Sequence, residues 1–333
     1  VLTVHWPSIN QLRVSVASPE DGSNIGNFDL TETSPNNWSV TRTLNANTTY
    51  TFKMVFDGAW YGNGTAFTRD NNSAEVLGDG NYMTIQTDVA GEYTFTFNSN
   101  SKNLSITYPT AYTVTYGVGT EYSSMGDVST SPNITSGDYV IAGTNITFTA
   151  TPNLGYKFVG WYNNAECTGN AISTNATYNI ASLSADTYLY AKFDYRPLYI
   201  HADFAPNGWN TPVQMTQSTE NRAVYTYEID PLAAKSGTPA SEGHHFHFVN
   251  TVENPNDHKA YNYKGVQTPT GSGFLTNEDI HLTDEKNATI QFDLMRKSKI
   301  TITLTLKSID DDPKPTVNIA ADPYYTVHTA TGG

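Results

Sequence analysis

Residues 146–169 read ITFTATPNLGYKFVGWYNNAECTG, and this stretch decides the fold. Apolar and polar residues alternate through NITFTA (145–150), and the stretch ends in the turn cluster TGN (168–170). Successive side chains of a strand point to opposite faces, so alternation with period two is the mark of a half-buried strand. The chain returns to the same pattern in TYLYAKF (187–193).

Outward from this centre, similar runs recur in both directions. Before it come LRVSV (12–16), YTFKMVF (50–56), EYTFTF (92–97), NLSITY (103–108) and YTVTY (112–116). After it come LYIHA (198–202), AVYTYEI (223–229), HFHFV (245–249), ATIQFDL (288–294) and ITITLTL (300–306). Turn clusters such as PEDGSN (19–24) and GDGN (78–81) separate them. Short strands with such punctuation predict antiparallel sandwiches. The best helical stretch, PLAAKSG (231–237), is weak.

Composition narrows the class. The chain has 333 residues, which favours two or three domains at roughly 100–150 residues each. With 22 Tyr, 14 Phe and 5 Trp and only 15% charged residues, it is no disordered acidic chain. A net charge of −14 on 18 Lys+Arg argues against nucleic acid, whose affinity comes from cations on phosphate, and against anionic membranes. No apolar run is long enough for a membrane-spanning helix, so no membrane insertion is expected. The single cysteine, Cys167, excludes an internal disulfide framework and cysteine-based zinc sites. These features fit a bacterial extracellular or cell-surface protein.

The linkers YPTAY (108–112) and YRPLY (195–199) divide the chain. The division gives a sandwich at 8–110, a smaller module at 111–194 and a second sandwich at 195–322, with terminal strands at 1–7 and 323–333. The proline in each linker suggests a stiff rod.

The middle module resembles a Listeria–Bacteroides repeat, the internalin-type B repeat. The family pattern G-Y-x-F-x-G-W-Y is met by Gly155, Tyr156, Phe158, Gly160, Trp161 and Tyr162, and its closing strand by Tyr190, Ala191, Lys192 and Phe193. The resemblance implies a small β-grasp-like surface module without catalysis, with Trp161 in its core. The outer units resemble each other and the starch-binding-like β-sandwich modules of secreted amylases and glycan-binding lipoproteins. LYIHADFAPNGWN (198–210) looks like that family's opening strand and N-G-W turn, and Phe246 and Phe248 match its F-x-F strand. In the first unit Phe52 and Met54 take those places and DGAWYGNG (57–64) follows; GNFDL (26–30) stands where the N-G-W turn would be.

The ends repeat the sandwiches' own strands. VLTVHWP (1–7) sets Leu2, Val4 and Trp6 where Leu104, Ile106 and Tyr108 fall in NLSITYP (103–109). PYYTVHTATGG (323–333), with Tyr325 and Val327, resembles PLYIHADFAPNG (197–208). Either the sequence is cut from a longer tandem array or its terminal strands are donated to a neighbouring copy. Donated strands would fill exposed edges and join copies head to tail.

Candidate chemistry is sparse. Trp60, Tyr61 and Trp209 are glycan-binding candidates, because flat sugar faces stack on exposed rings; Asp57, Asn63 and Lys53 could bond the hydroxyls. The alternative is that Trp60 and Trp209 cap the sandwich cores. His245 and His247 point one way on a strand, with Phe246 and Phe248 to the core. They read as solvent-facing rather than as metal ligands with Asp257 or His258. Asp310, Asp311 and Asp312 read as a solvated turn, and Cys167 as inert. Sequons stand at Asn37, Asn47, Asn63, Asn71, Asn103, Asn133, Asn145, Asn175 and Asn287, about as many as this composition gives by chance. No catalytic motif of the usual kinds appears, so no enzyme, metal or cofactor is expected.

The expectation is therefore an all-β chain: tandem Ig-like β-sandwich modules around a central β-grasp-like repeat domain, rod-like in form. Two functions suit it. One is a structural segment of a fibre or adhesin, assembled head to tail through Leu2, Val4, Trp6, Tyr325 and Val327. The other is binding of a polysaccharide ligand.

Overall fold

A computed structural model describes residues 9–16, 26–78, 81–206, 208–229, 244–250, 280–281, 290–292, 300–309 and 315–321. The protein is all-β; the helical elements among these residues are two single 3₁₀ turns, Thr120–Tyr122 and Gly208–Asn210. The chain divides into two compact units. One comprises 1–116 with 129–148 and 177–189; the other comprises 117–128 with 149–176 and 190–333. The segment 111–195 contributes to both.

Within the first unit, two sheets form a sandwich. One is ordered Gly26–Asp29, Gln11–Val16, Thr49–Phe56, Met83–Gln86, Ala66–Phe67, and Ala59–Tyr61 also pairs with Thr49–Phe56. The other is ordered Thr31–Ser34, Asn37–Leu44, Gly91–Asn98, Asn103–Thr107, Glu75–Val76. The alternating runs explain the sandwich. Phe52 and Met54 of YTFKMVF and Phe95 and Phe97 of EYTFTF all turn inward and are fully buried. Phe52 meets Phe95 edge to face at 5.3 Å. Each such side chain stabilises by roughly 1.5–3 kcal/mol on burial.

The middle segment carries a sheet ordered Asp138–Ile141, Ala111–Val118, Thr187–Tyr195, Tyr156–Tyr162 and a second ordered Gly126–Ser131, Ile146–Pro152, Thr177–Ile180. Trp161 is buried, and its indole N–H donates to the carbonyl of Asn175 at 3.0 Å. The strand bulges between Phe158 and Gly160. A Cβ at Gly160 would stand 2.9 Å from that of Ala171, so glycine permits the close return of the chain there.

In the second unit, Val213–Gln214, Tyr199–Ala202, His244–Val249 and Ile290–Phe292 form one sheet. Thr216–Gln217, Val224–Ile229, Ile300–Thr305, Thr316–Ala321 and Ile280–His281 form the other. Ile200, Phe246, Phe248, Tyr225, Ile302 and Leu304 fill the core between them. The helix candidate at 231–237 and the turn at Asp310, Asp311 and Asp312 lie outside the described residues.

Candidate functional site

Strand Thr49–Phe56 turns through Asp57 and Gly58 into Ala59–Tyr61. Phe56 pairs with Ala59, Val55 with Trp60 and Met54 with Tyr61. Asp57 and Gly58 have φ of 51° and 78°, the positive pair that a two-residue type I′ hairpin requires and that Asp-Gly favours. The Asp57 N–H is fixed by the Asn10 side-chain oxygen at 2.9 Å.

This register separates two of the predicted residues. Met54 faces the core, so Tyr61 faces it too; its ring lies 5.7 Å from Phe97, with the Lys102 ammonium 5.1 Å from its centre. Tyr61 thus belongs to the inner side and does not share the face of Trp60. Trp60 lies on the opposite, outer face and is 45% exposed.

The outer face around Trp60 is built by cross-strand pairs. Arg13 stands directly opposite Lys53, and Val55 opposite Trp60. Val55 is 3% exposed although it points away from the sandwich core, so it is shielded from the outer side. The Arg13 guanidinium lies 4.7 Å from the Trp60 ring centre. Its Nε is buried and without a hydrogen-bond partner among the described residues. The ring thus packs on Arg13 and remains 45% exposed. Tyr82, 58% exposed, joins the same face: the Lys53 ammonium is 4.2 Å from its ring centre and 6.0 Å from that of Trp60. One lysine thus sits between two exposed rings.

Asn63 lies apart from the rings. Its side-chain oxygen accepts from the Thr65 N–H at 3.0 Å, and its amide donates weakly toward Glu75 and the Val76 carbonyl. Its work is to shape the loop, an Asx turn.

Trp209 heads a similar stack in the other sandwich. His201 and His247 are opposed in register on the outer face of their sheet. The Trp209 ring, 40% exposed, stacks on His247 at 5.6 Å with 20° between planes. His201 is fully buried beneath. Its Nε2 is 2.8 Å from the Trp209 carbonyl oxygen and its Nδ1 3.1 Å from His247 Nε2. A carbonyl only accepts, so His201 carries a hydrogen on Nε2, and a second hydrogen is shared between His201 Nδ1 and His247 Nε2. His247 is therefore half-buried under a ring instead of facing open solvent, and Trp209 covers a polar pair rather than the apolar core. In both sandwiches an exposed Trp lies over a cross-strand pair of basic residues. Sequence reading missed this likeness and missed Tyr82. The signal was present: Lys53 and His247 are the middle residues of the two strands matched as Phe52–Met54 and Phe246–Phe248.

Among the described sequons, Asn47, Asn63, Asn71, Asn133, Asn145 and Asn175 are exposed. Asn37 and Asn103 instead lie half-buried in strands. The Asn37 amide donates to Ser34 and Pro35, and its oxygen accepts from Asn98. Cys167 is buried, and burial raises its thiol pKa. Asn287, His258 and the terminal residues Leu2, Val4, Trp6, Tyr325 and Val327 lie outside the described residues. Head-to-tail assembly accordingly has no support from them. Among the described residues there is no group of three metal-binding side chains, and no helix is long and apolar enough to cross a membrane.

No curated protein matches the chain. Among solved structures, SusF from Bacteroides thetaiotaomicron aligns over 94% of this chain and 72% of its own, at 10% identity and a TM-score of 0.23. A likeness at that score establishes nothing about this chain. A family model does match the middle segment: residues 112–197 are similar to the divergent InlB B-repeat domain.

Proposed function

We propose that this is a non-catalytic carbohydrate-binding protein of the bacterial surface or exterior, and that the outer face of its first sandwich is the sugar platform. The observation that carries the reading is the pair of exposed rings, Trp60 and Tyr82, on one strand-built face with polar groups between them. Sugars present C–H faces that pack on such rings, and isolated surface aromatics of this size serve no packing need of the core. The starch-module resemblance of the outer sandwiches points the same way, as does the repeat of the Trp-over-basic-pair arrangement at Trp209.

Calorimetric titration of the chain against a panel of polysaccharides tests the reading. Trp60→Ala is expected to weaken binding about tenfold or more, since a stacked ring contributes roughly 0.5–1.5 kcal/mol beyond its burial. The melting temperature should change little, because the ring lies outside the core. Absence of heat with every glycan would defeat the proposal.

A further inference from the structure

The first platform is cationic in an acidic chain. Of 18 Lys+Arg in a protein of net charge −14, two, Arg13 and Lys53, stand directly opposite each other on adjacent strands. Like charges so placed repel. Neither is matched by an acid among the described residues, where the ion pair is Arg69 with Asp88. The carboxylate on the neighbouring strand, Asp29, stands opposite Gln11 and accepts its amide hydrogen at 2.7 Å. The rings offset part of the repulsion, since each cation lies over an aromatic face.

A neutral sugar can accept hydrogen bonds from Lys53 but leaves the repulsion of two facing cations unrelieved, whereas an anionic one accepts the hydrogen bonds and balances the charge. We infer that the Trp60–Tyr82 platform takes an acidic glycan, one whose sugar rings carry carboxylate or sulfate groups. The inference rests on the sugar-platform reading above. The sugar faces pack on Trp60 and Tyr82, and the anionic substituent sits at Lys53, between the rings. Lys53 acts as a point charge, while the Arg13 fork beneath Trp60 supplies the second positive charge. The chain's own negative charge repels a polyanion at long range, but the Debye length of about 8 Å at physiological salt leaves contact-range charges to decide.

Dextran, dextran sulfate and polygalacturonate separate the possibilities by calorimetry on the full chain at low and high salt. The inference expects dextran sulfate, polygalacturonate or both to bind, and dextran to bind at least about tenfold more weakly. Lys53→Gln should weaken the acidic ligand about tenfold, Lys53→Glu should abolish it, and added salt should weaken it. Binding of one polyanion and not the other names the charged group. Equal affinity for dextran with no effect of Lys53→Gln overturns the acidic ligand; if Trp60→Ala still abolishes binding, the sugar platform itself stands. Polyanion binding indifferent to Trp60→Ala and Lys53→Glu is adventitious attraction elsewhere and overturns the inference. Silence with all three ligands and with the wider panel overturns both readings.

Discussion

Two glycines of the middle segment share a φ of +82° and differ in what surrounds them. A Cβ at Gly169 would meet nothing within 4 Å, whereas at Gly155 it would stand 2.0 Å from the carbonyl oxygen of Arg222. The Gly155 carbonyl also accepts from Arg196 N–H at 2.9 Å and from the Gln217 amide at 2.8 Å. Alanine at either site incurs the left-handed backbone cost, about 1–2 kcal/mol. Only at Gly155 must backbone move as well. Thermal denaturation should therefore show Gly169→Ala mildly destabilised and Gly155→Ala destabilised by at least about twice as much. Equal shifts would mean that the Arg222 turn yields without cost. The same scale shows why the proposed platform was only half legible. FDGAW reads as a hairpin through its Asp-Gly pair, and a hairpin puts Trp60 and Tyr61 on opposite faces. Tyr82 escaped because it follows a glycine-rich turn, where nothing local reveals that its ring folds back over Lys53.

At the scale of elements, the strands were the most legible feature. The runs at 50–56, 92–97 and 300–306 became Thr49–Phe56, Gly91–Asn98 and Ile300–Thr305, because alternation and β-branched or aromatic content act together there. What the pattern did not reveal is how strand ends are tied. Ala66–Phe67 and Met83–Gln86 run parallel, so Arg69 and Asp88 emerge beyond the same edge and form an ion pair. Arg69 also donates to the Pro109 carbonyl at 2.7 Å, and Asp88 accepts the Val89 N–H at 2.8 Å. Burial alone would raise the Asp88 pKa; the hydrogen bond and charge of Arg69 outweigh it and hold the carboxyl below its usual value. A depressed carboxyl pKa gives stability that is present above the unfolded value, about 3.9, and lost as pH falls through the folded one. Asp88→Asn should therefore lower stability at neutral pH by roughly 1–3 kcal/mol. The gap to the native chain should close as pH drops below about 4. A gap that stays constant into acid would show that the charge of Asp88 contributes nothing.

Across the whole molecule, the all-β class follows from alternation, turn chemistry and the weakness of the best helical stretch, all of them local signals. The platforms follow from register between distant strands, which no local signal encodes; this is why Arg13 and Lys53 meet only in the folded sheet. Buried tyrosines are another consequence of folding a Tyr-rich chain into sandwiches, and each compact unit has its own. Burial, then the Asp88 charge, pushes Tyr93 up to about 12 in the first unit; burial pushes Tyr225 up to about 12 in the second. The unfolded phenol titrates near 10, so the folded state keeps protons that the unfolded state releases. Stability from these groups is complete below about pH 10 and falls as pH rises toward the folded values. Tm measured against pH should decline above about pH 10, while tyrosinate absorbance shows Tyr93 and Tyr225 in a late class that ionises only with unfolding. Tyr93→Phe should flatten the alkaline decline of the first unit. Tyr225→Phe should do so for the second. Both carry a neutral-pH penalty, because the Tyr93 hydroxyl donates to the Val89 carbonyl at 2.7 Å and the Tyr225 hydroxyl to the Arg196 carbonyl at 2.7 Å, with the Gln217 amide 2.8 Å away. If Tyr93 and Tyr225 instead ionise near pH 10 while the protein stays folded, these rings open to solvent without unfolding and the sandwich cores are looser than their packing implies.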